Sequence, residues 1–147
     1  MEKIDRQILG LLAEDGRMSY TDLGKATGLS TSAVHQRVKR LEERGLILGY
    51  GATIDHAAAG KPLTAFVSVT PIDVSQPDDY PDRLEHITEI ESCWSVAGEE
   101  SYILKIRISK PSELEELLAR IRAAANVSTR TTIVLSTYYE NRPVTGG

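Results

Sequence analysis

Gly28-Leu29-Ser30-Thr31-Ser32-Ala33-Val34-His35-Gln36-Arg37-Val38-Lys39-Arg40-Leu41 is the stretch on which the reading of this chain turns. Val34, Val38 and Leu41 recur at helical spacing and form one apolar stripe, which predicts a helix from Thr31 to Arg44 stopped by Gly45. Ser30 is placed to cap it. Away from the stripe stand Thr31, Ser32, His35, Gln36, Lys39 and Arg40, with Arg37 at the flank. Hydrogen-bonding groups thus occupy the first turns of the outer face and cations the later ones.

Upstream, Ile4, Ile8, Leu11 and Leu12 make the stripe of a first helix, and Asp15-Gly16 ends it. Ser19 and Asp22 fit a capping box for a short second helix, with Leu23 and Ala26 inward and Gly28 free to take a left-handed turn. Helix, short helix, glycine turn and polar-faced helix is the helix-turn-helix pattern. In that pattern the outer face of the third helix enters the major groove of duplex DNA. Gln36 could bond adenine N6 and N7, His35 could read an acceptor, and Ser30, Thr31 and Ser32 line the approach. Arg37, Lys39, Arg40 and Arg44 are spaced for phosphates, and Tyr20 and Lys25 of the second helix for the backbone. A polar helix face can also be merely solvated, but the preceding short helix and turn present this one outward.

Composition narrows the alternatives. The chain has 147 residues, 41% hydrophobic and 26% charged, enough to bury a core in one ordinary domain or two small ones. Its net charge of -4 argues against indiscriminate nucleic-acid binding, yet residues 1–50 carry 8 basic and 7 acidic side chains. The acidic excess therefore lies in the remainder. Eight aromatic residues are too few for base-stacking platforms. One cysteine, Cys93, excludes an internal disulfide, and the N-terminus lacks the order of a signal peptide. The expectation is a soluble, cytoplasmic protein.

All six prolines lie beyond residue 61, which marks a second domain. Residues 46–54 read as an extended segment leaving the helices, and 55–60 as a turn. Then come a strand at Leu63–Thr70, a helix at Asp79–Ile90, a strand at Ser92–Ala97, a turn at Gly98–Ser101 and a strand at Tyr102–Ile108. A helix opening at Pro111-Ser112, with Ser112 and Glu115 as its capping box, and a strand at Thr131–Tyr139 complete the order βαββαβ. The expected class is α+β: a helix-turn-helix domain over 1–45, a linker over 46–61, a ferredoxin-like domain over 62–139 and a tail over 140–147. Ile103 points away from Leu104, Ile106 and Ile108, and Val134 and Tyr138 away from Ile133 and Leu135. Both sheet faces are thus partly apolar, which implies packing against the sheet of a second copy.

No catalytic constellation is present: His35, His56 and His86 are dispersed, with no ligand spacing around them. Ala59-Gly60-Lys61-Pro62 has proline where a phosphate loop needs a hydroxyl. Cys93, inside a predicted strand, reads as a small core residue. No cofactor or metal is implied. The turn Gly98-Glu99-Glu100-Ser101 reads from the residues first as a plain hairpin connection, and a ligand-binding loop is the second reading, one that needs support from outside the turn itself.

Leu29-Ser30, Val34, Arg37-Val38, Arg40-Leu41-Glu42, Gly45-Leu46-Ile47, Gly49-Tyr50, Val96-Ala97-Gly98 and Tyr102-Ile103-Leu104, in this order, resemble the Lrp/AsnC (leucine-responsive, feast/famine) transcription regulators. The resemblance spans essentially the whole chain. It implies an N-terminal DNA-binding domain and a C-terminal effector-sensing domain that dimerises through its sheet, commonly on the way to an octamer. The implied partners are a pseudo-palindromic duplex operator and a small effector, typically an amino acid, bound between subunits. Residue by residue, the effector site falls on Gly98, Glu99, Glu100, Ser101 and Tyr102, with Thr131 and Thr132 of the last strand. Ser101 stands where many members of that family carry an aspartate. The rival readings are a small-molecule-sensing module without significant DNA binding and a ferredoxin-like enzyme, the latter disfavoured by the lack of a paired acid and base.

Overall fold

The computed structural model describes residues 1–144. Three helices come first: α1 (Lys3–Glu14), α2 (Tyr20–Thr27) and α3 (Thr31–Glu43). They are followed by β1 (Leu63–Pro71), α4 (Tyr80–Leu84), β2 (Ile90–Ser95), β3 (Tyr102–Ile108), α5 (Pro111–Ala125) and β4 (Val127–Ile133). The chain divides into two compact units, Met1–Thr53 together with residues 138–144, and Ile54–Thr137. The division falls inside the stretch read as a linker, and residues 138–144 group with the helical unit. The end of the expected tail, 145–147, lies outside the described residues.

In the helical unit Ile8, Leu23, Val34, Val38 and Leu41 are buried together, with Leu12, Met18 and Leu29 packed against them. Local chemistry sets the boundaries. The Ser19 hydroxyl accepts from the Asp22 N–H at 3.0 Å, and the Ser30 hydroxyl from the Ala33 N–H at 3.2 Å. Each satisfies a helix-start donor that would otherwise lack a partner. Gly28 takes φ 79° at the end of α2. At the end of α3, Gly45 takes φ 75°; its N–H bonds the Glu42 carbonyl and that of Leu46 bonds the Leu41 carbonyl, closing the helix.

Leu46–Ile54, read as extended, forms no regular strand, and Leu48 is 95% exposed. In the second unit the strands form one antiparallel sheet in the order β2-β3-β1-β4. Val67 stands opposite Leu104 on one side and Thr131 on the other. Ala65, Val67, Val69, Leu104, Ile106 and Ile108 are buried beneath the helices with Leu84, Leu117 and Ile121. Alternation sends Phe66, Ser68 and Thr70 of β1, and Ile103, Lys105 and Arg107 of β3, to the opposite face. On that face Glu91 pairs with Lys105 at 3.7 Å and with Arg107 at 2.5 Å.

Five expectations change here. The helix expected over Asp79–Ile90 is only Tyr80–Leu84, followed by turns in which Ile87 N–H bonds Leu84 O and Ile90 N–H bonds Ile87 O. The three-residue spacing of Leu84, Ile87 and Ile90 is met by successive turns as well as by a helix, and β-branched Ile87, Thr88 and Ile90 favour leaving it. With Ile90 released, β2 starts two residues early and ends at Ser95.

The start of α5 is held by Glu113, whose carboxylate accepts from the Ser109 N–H at 3.0 Å and hydroxyl at 2.6 Å, not by Ser112 and Glu115. Those bonds hold the Glu113 carboxyl below its ordinary range. The last strand begins at Val127, directly after left-handed Asn126, and ends at Ile133, so Leu135 and Tyr138 lie outside it. Cys93 is exposed, because β2 is a sheet edge and α4 is too short to cover it.

Candidate functional site

α3 turns Val34, Val38 and Leu41 into the core, and this leaves Thr31, Ser32, His35, Gln36, Lys39 and Arg40 exposed on one side. The sequence-predicted surface is therefore assembled on one rod. Ser30 sits at its start, its hydroxyl engaged by the cap and 3.3 Å from that of Ser32. Tyr20, the first residue of α2, meets the His35 ring edge-on with centroids 5.2 Å apart, which restrains the imidazole from the side. Lys25 is exposed in the last turn of α2.

Arg37 differs from its exposed neighbours in being held by α1. Its guanidinium donates to Glu2 at 2.9 Å and to Asp5 at 3.1 Å, tying α3 to the start of α1. Hydrogen bonds to Glu2, then to Asp5, raise its pKa further above an already high value. Asp5 is 8% exposed and needs that cation, since a buried carboxylate without a partner is costly. The Arg37 side chain thus ties α3 to the start of α1. The carboxylates sit more than thirty residues away along the chain, so only an α1–α3 contact prediction could have revealed the pairing.

Gly24 is a second residue that sequence reading passed over. A Cβ there would stand 2.6 Å from the Leu29 carbonyl oxygen, so the tight approach of α2 to the turn before α3 requires glycine. That approach aims α3 outward.

In the sheet unit the turn after β2 runs through Gly98, Glu99, Glu100 and Ser101. The Ser101 N–H bonds the Val69 carbonyl and its own carbonyl accepts from Val96, so the turn is anchored to β1. Beside it lies a cavity of about 310 Å³ lined by Ser68, Thr70, Glu99, Glu100, Ser128, Thr129 and Arg130. Of the residues assigned to the effector, Glu99 and Glu100 line this space. Gly98 lies beneath Glu100, whose Oε1 is 3.7 Å from where a Gly98 Cβ would stand.

Tyr102 points the other way. It is 7% exposed among the core residues, its ring meets that of Tyr80 at a tilt with centroids 6.0 Å apart, and its hydroxyl donates to Asp78. That bond, with burial, pushes the phenol up to about 12. Thr131 likewise faces the helices as the cross-strand neighbour of Val67, while Thr132, opposite Phe66, faces the open side. Ser68, Thr70, Ser128 and Arg130 were not singled out in the sequence; a last strand read from Val127 would have placed them together through the pairs Ser68–Arg130 and Thr70–Ser128.

Residues 1–42 match the AsnC-type helix-turn-helix domain, and residues 64–144 match the Lrp/AsnC ligand binding domain. The chain belongs to the Lrp/AsnC family. It is 55% identical over 142 residues to the HTH-type transcriptional regulator LrpA of Mycobacterium tuberculosis, covering 97% of this chain and 95% of that one. It is 34% identical over 140 residues to the leucine-responsive regulatory protein of Escherichia coli K12, covering 92% and 85%. Among solved structures, a feast or famine regulatory protein from M. tuberculosis complexed with L-methionine superposes with a TM-score of 0.97 at 54% identity, 99% of each chain covered.

As a Lrp/AsnC regulator, the chain combines a helix-turn-helix DNA-binding domain with a ligand-binding domain. Its Lrp/AsnC relatives are transcriptional regulators, and among the described residues no helix is long and apolar enough to cross a membrane.

Proposed function

We propose that this regulator reads a pseudo-palindromic duplex with the first two turns of α3 and holds an amino-acid effector beside the Gly98–Ser101 turn of the sheet unit. The observation that carries the DNA half is the sorted outer face of α3: Thr31, Ser32, His35 and Gln36 exposed at its start, Lys39 and Arg40 exposed beyond them. Short polar groups let a helix approach base edges, whereas cations neutralise phosphate without reading sequence. Base choice therefore rests on the first group and salt dependence on the second. The L-methionine complex of the M. tuberculosis protein supports an amino acid as the effector.

Two copies present two α3 helices about one DNA turn apart, or a multiple of it. The open sheet face, where Trp94, 46% exposed, stands opposite Ile103 and Phe66 projects from β1, supports pairing of two sheets, and dimers then assemble toward an octamer. Effector binding between subunits shifts the spacing of the DNA-binding heads if one arrangement binds it better.

The test is selection of binding sites from random duplex DNA, with and without each of the twenty amino acids. A palindromic consensus whose affinity responds to one or a few of them is expected. Lys39→Ala with Arg40→Ala should lower the salt slope by about two contacts, at about 0.9 per phosphate. An unchanged slope would favour a sensing module without significant DNA binding. A stable monomer in light scattering at micromolar concentration would overturn the sheet pairing.

A further inference from the structure

We infer that Arg130 of β4 is the carboxylate anchor of the effector cavity, so that the ligand is held at both ends as a zwitterionic α-amino acid. This rests on the reading of the effector as an amino acid and assigns the half of the site that the Gly98–Ser101 turn does not supply. The cavity of about 310 Å³ has two chemically different walls. One carries Glu99 and Glu100 on the turn; the other carries Ser68, Thr70, Ser128 and Arg130 on paired strands. Its size suits a small metabolite, at the lower end of the roughly 300–1,000 Å³ of ligand pockets.

The sheet register fixes the second wall. Arg130 stands opposite Ser68, and Ser128 opposite Thr70, on the face turned away from α5, so the guanidinium and the hydroxyls share one surface. Ser128 is itself oriented by a 3.4 Å bond to the Thr70 carbonyl. Arg122, by contrast, reaches Thr129 from the helix side, which places the Thr129 side chain on the opposite face. Among the described residues the Arg130 guanidinium has no ion-pair partner, although Glu99 and Glu100 line the same cavity. Acid and base stand at the two walls without joining. An α-amino acid carries the complementary charges at adjacent atoms, its ammonium for the glutamates and its carboxylate for the arginine. A planar guanidinium fork matches the two carboxylate oxygens, which an ammonium does not. Ser101 supplies no charge, and none is needed from it when Glu99 and Glu100 take the ammonium.

The experiment is calorimetric titration of the full chain with the twenty common amino acids, followed by L-methionine and L-methioninamide as the matched pair of probes. The amide keeps the ammonium and side chain but has no carboxylate. In the unaltered protein L-methionine should bind about tenfold to a hundredfold more tightly than its amide. In Arg130→Gln that preference should vanish through a loss confined to the acid, and Arg130→Lys should restore part of it. If Arg130→Gln keeps the full preference for the acid, the assignment of Arg130 is overturned while the amino-acid reading stands. Equal weakening of both probes in Arg130→Gln would mark a general structural role and overturn it as well. If the unaltered protein binds none of the twenty amino acids, the proposed effector class itself fails.

Discussion

At the junction of α2 and α3 the chain is held by residues a few positions apart: the Gly24 carbonyl accepts from Gly28 and Leu29, and Ser30 caps the next helix. Around α4 and β2 the ties run much farther along the chain, Asp78 to Tyr102, Glu91 to Arg107 and Glu89 to Arg120. The first region is specified largely by near neighbours in the chain. The second takes the shape its distant partners impose, and there a regular apolar spacing yields turns instead of a helix. The start of α3 is thus set by short-range contacts, while the α4–β2 region belongs to a network of contacts made across the sheet unit.

The contrast can be broken most forcibly at Ile87, which is 2% exposed in the turns after α4. Ile87→Ala should cost about 2–5 kcal/mol in denaturant unfolding of the sheet unit, as a buried anchor does, whereas exposed Thr88→Ala should be near neutral. Similar small effects at both positions would show that the turns are not pinned by the core. On the local side, Gly24→Ala should cost about 1–3 kcal/mol and lower the melting temperature of the helical unit, because the Leu29 carbonyl blocks the new methyl. If that variant melts as the parent does, the close approach does not constrain the turn.

Tyr102→Phe sharpens the comparison through pH. The phenol titrates near 12 in the folded chain against an ordinary 10.0, so its neutral form is favoured by folding. The associated stability is fully present below pH 10 and lost as pH rises from 10 toward 12. The variant should lose about 1–2 kcal/mol at neutral pH and show a flatter alkaline limb, and ultraviolet titration should lose its highest tyrosine step. Ser30→Ala should cost about 1 kcal/mol, with helix content at the start of α3 reduced in amide exchange. Smallest is the exposed pair of Glu89 with Arg120, whose hydrogen bond holds the Glu89 carboxyl below its ordinary 4.5. Its contribution is present above that value and fades as pH falls below it, so Glu89→Gln should slightly flatten the acid limb of the stability curve.

Much of the helical unit was legible because its signals are local. Ser19, Gly28, Ser30 and Gly45 each act on backbone within five residues, and Val34, Val38 and Leu41 report the buried face of α3 by spacing alone. The outer face of α3 follows by subtraction. The ion pairs of Arg37 could not be read from the chain, because only the fold brings Glu2 and Asp5 against it. In the sheet unit β3 was placed correctly, since its alternation matches its burial at every position except Lys105, which is buried on the open face. The start of β4 was missed because Val127-Ser128-Thr129-Arg130 is mostly polar on an edge strand, and the apolar run that follows it drew the boundary too late.

What the sequence determined by itself was the order of elements, the inward stripe of each long helix and the set of side chains left outside on α3, because periodicity and capping act over one or two turns of chain. Which cations remain free for DNA, where α4 stops, and which hydroxyls share a wall with Arg130 were decided only in the tertiary structure. Those outcomes depend on groups that meet across strands and helices, and the energy of an ion pair or a cross-strand contact is set by distance in space, which separation along the chain does not encode.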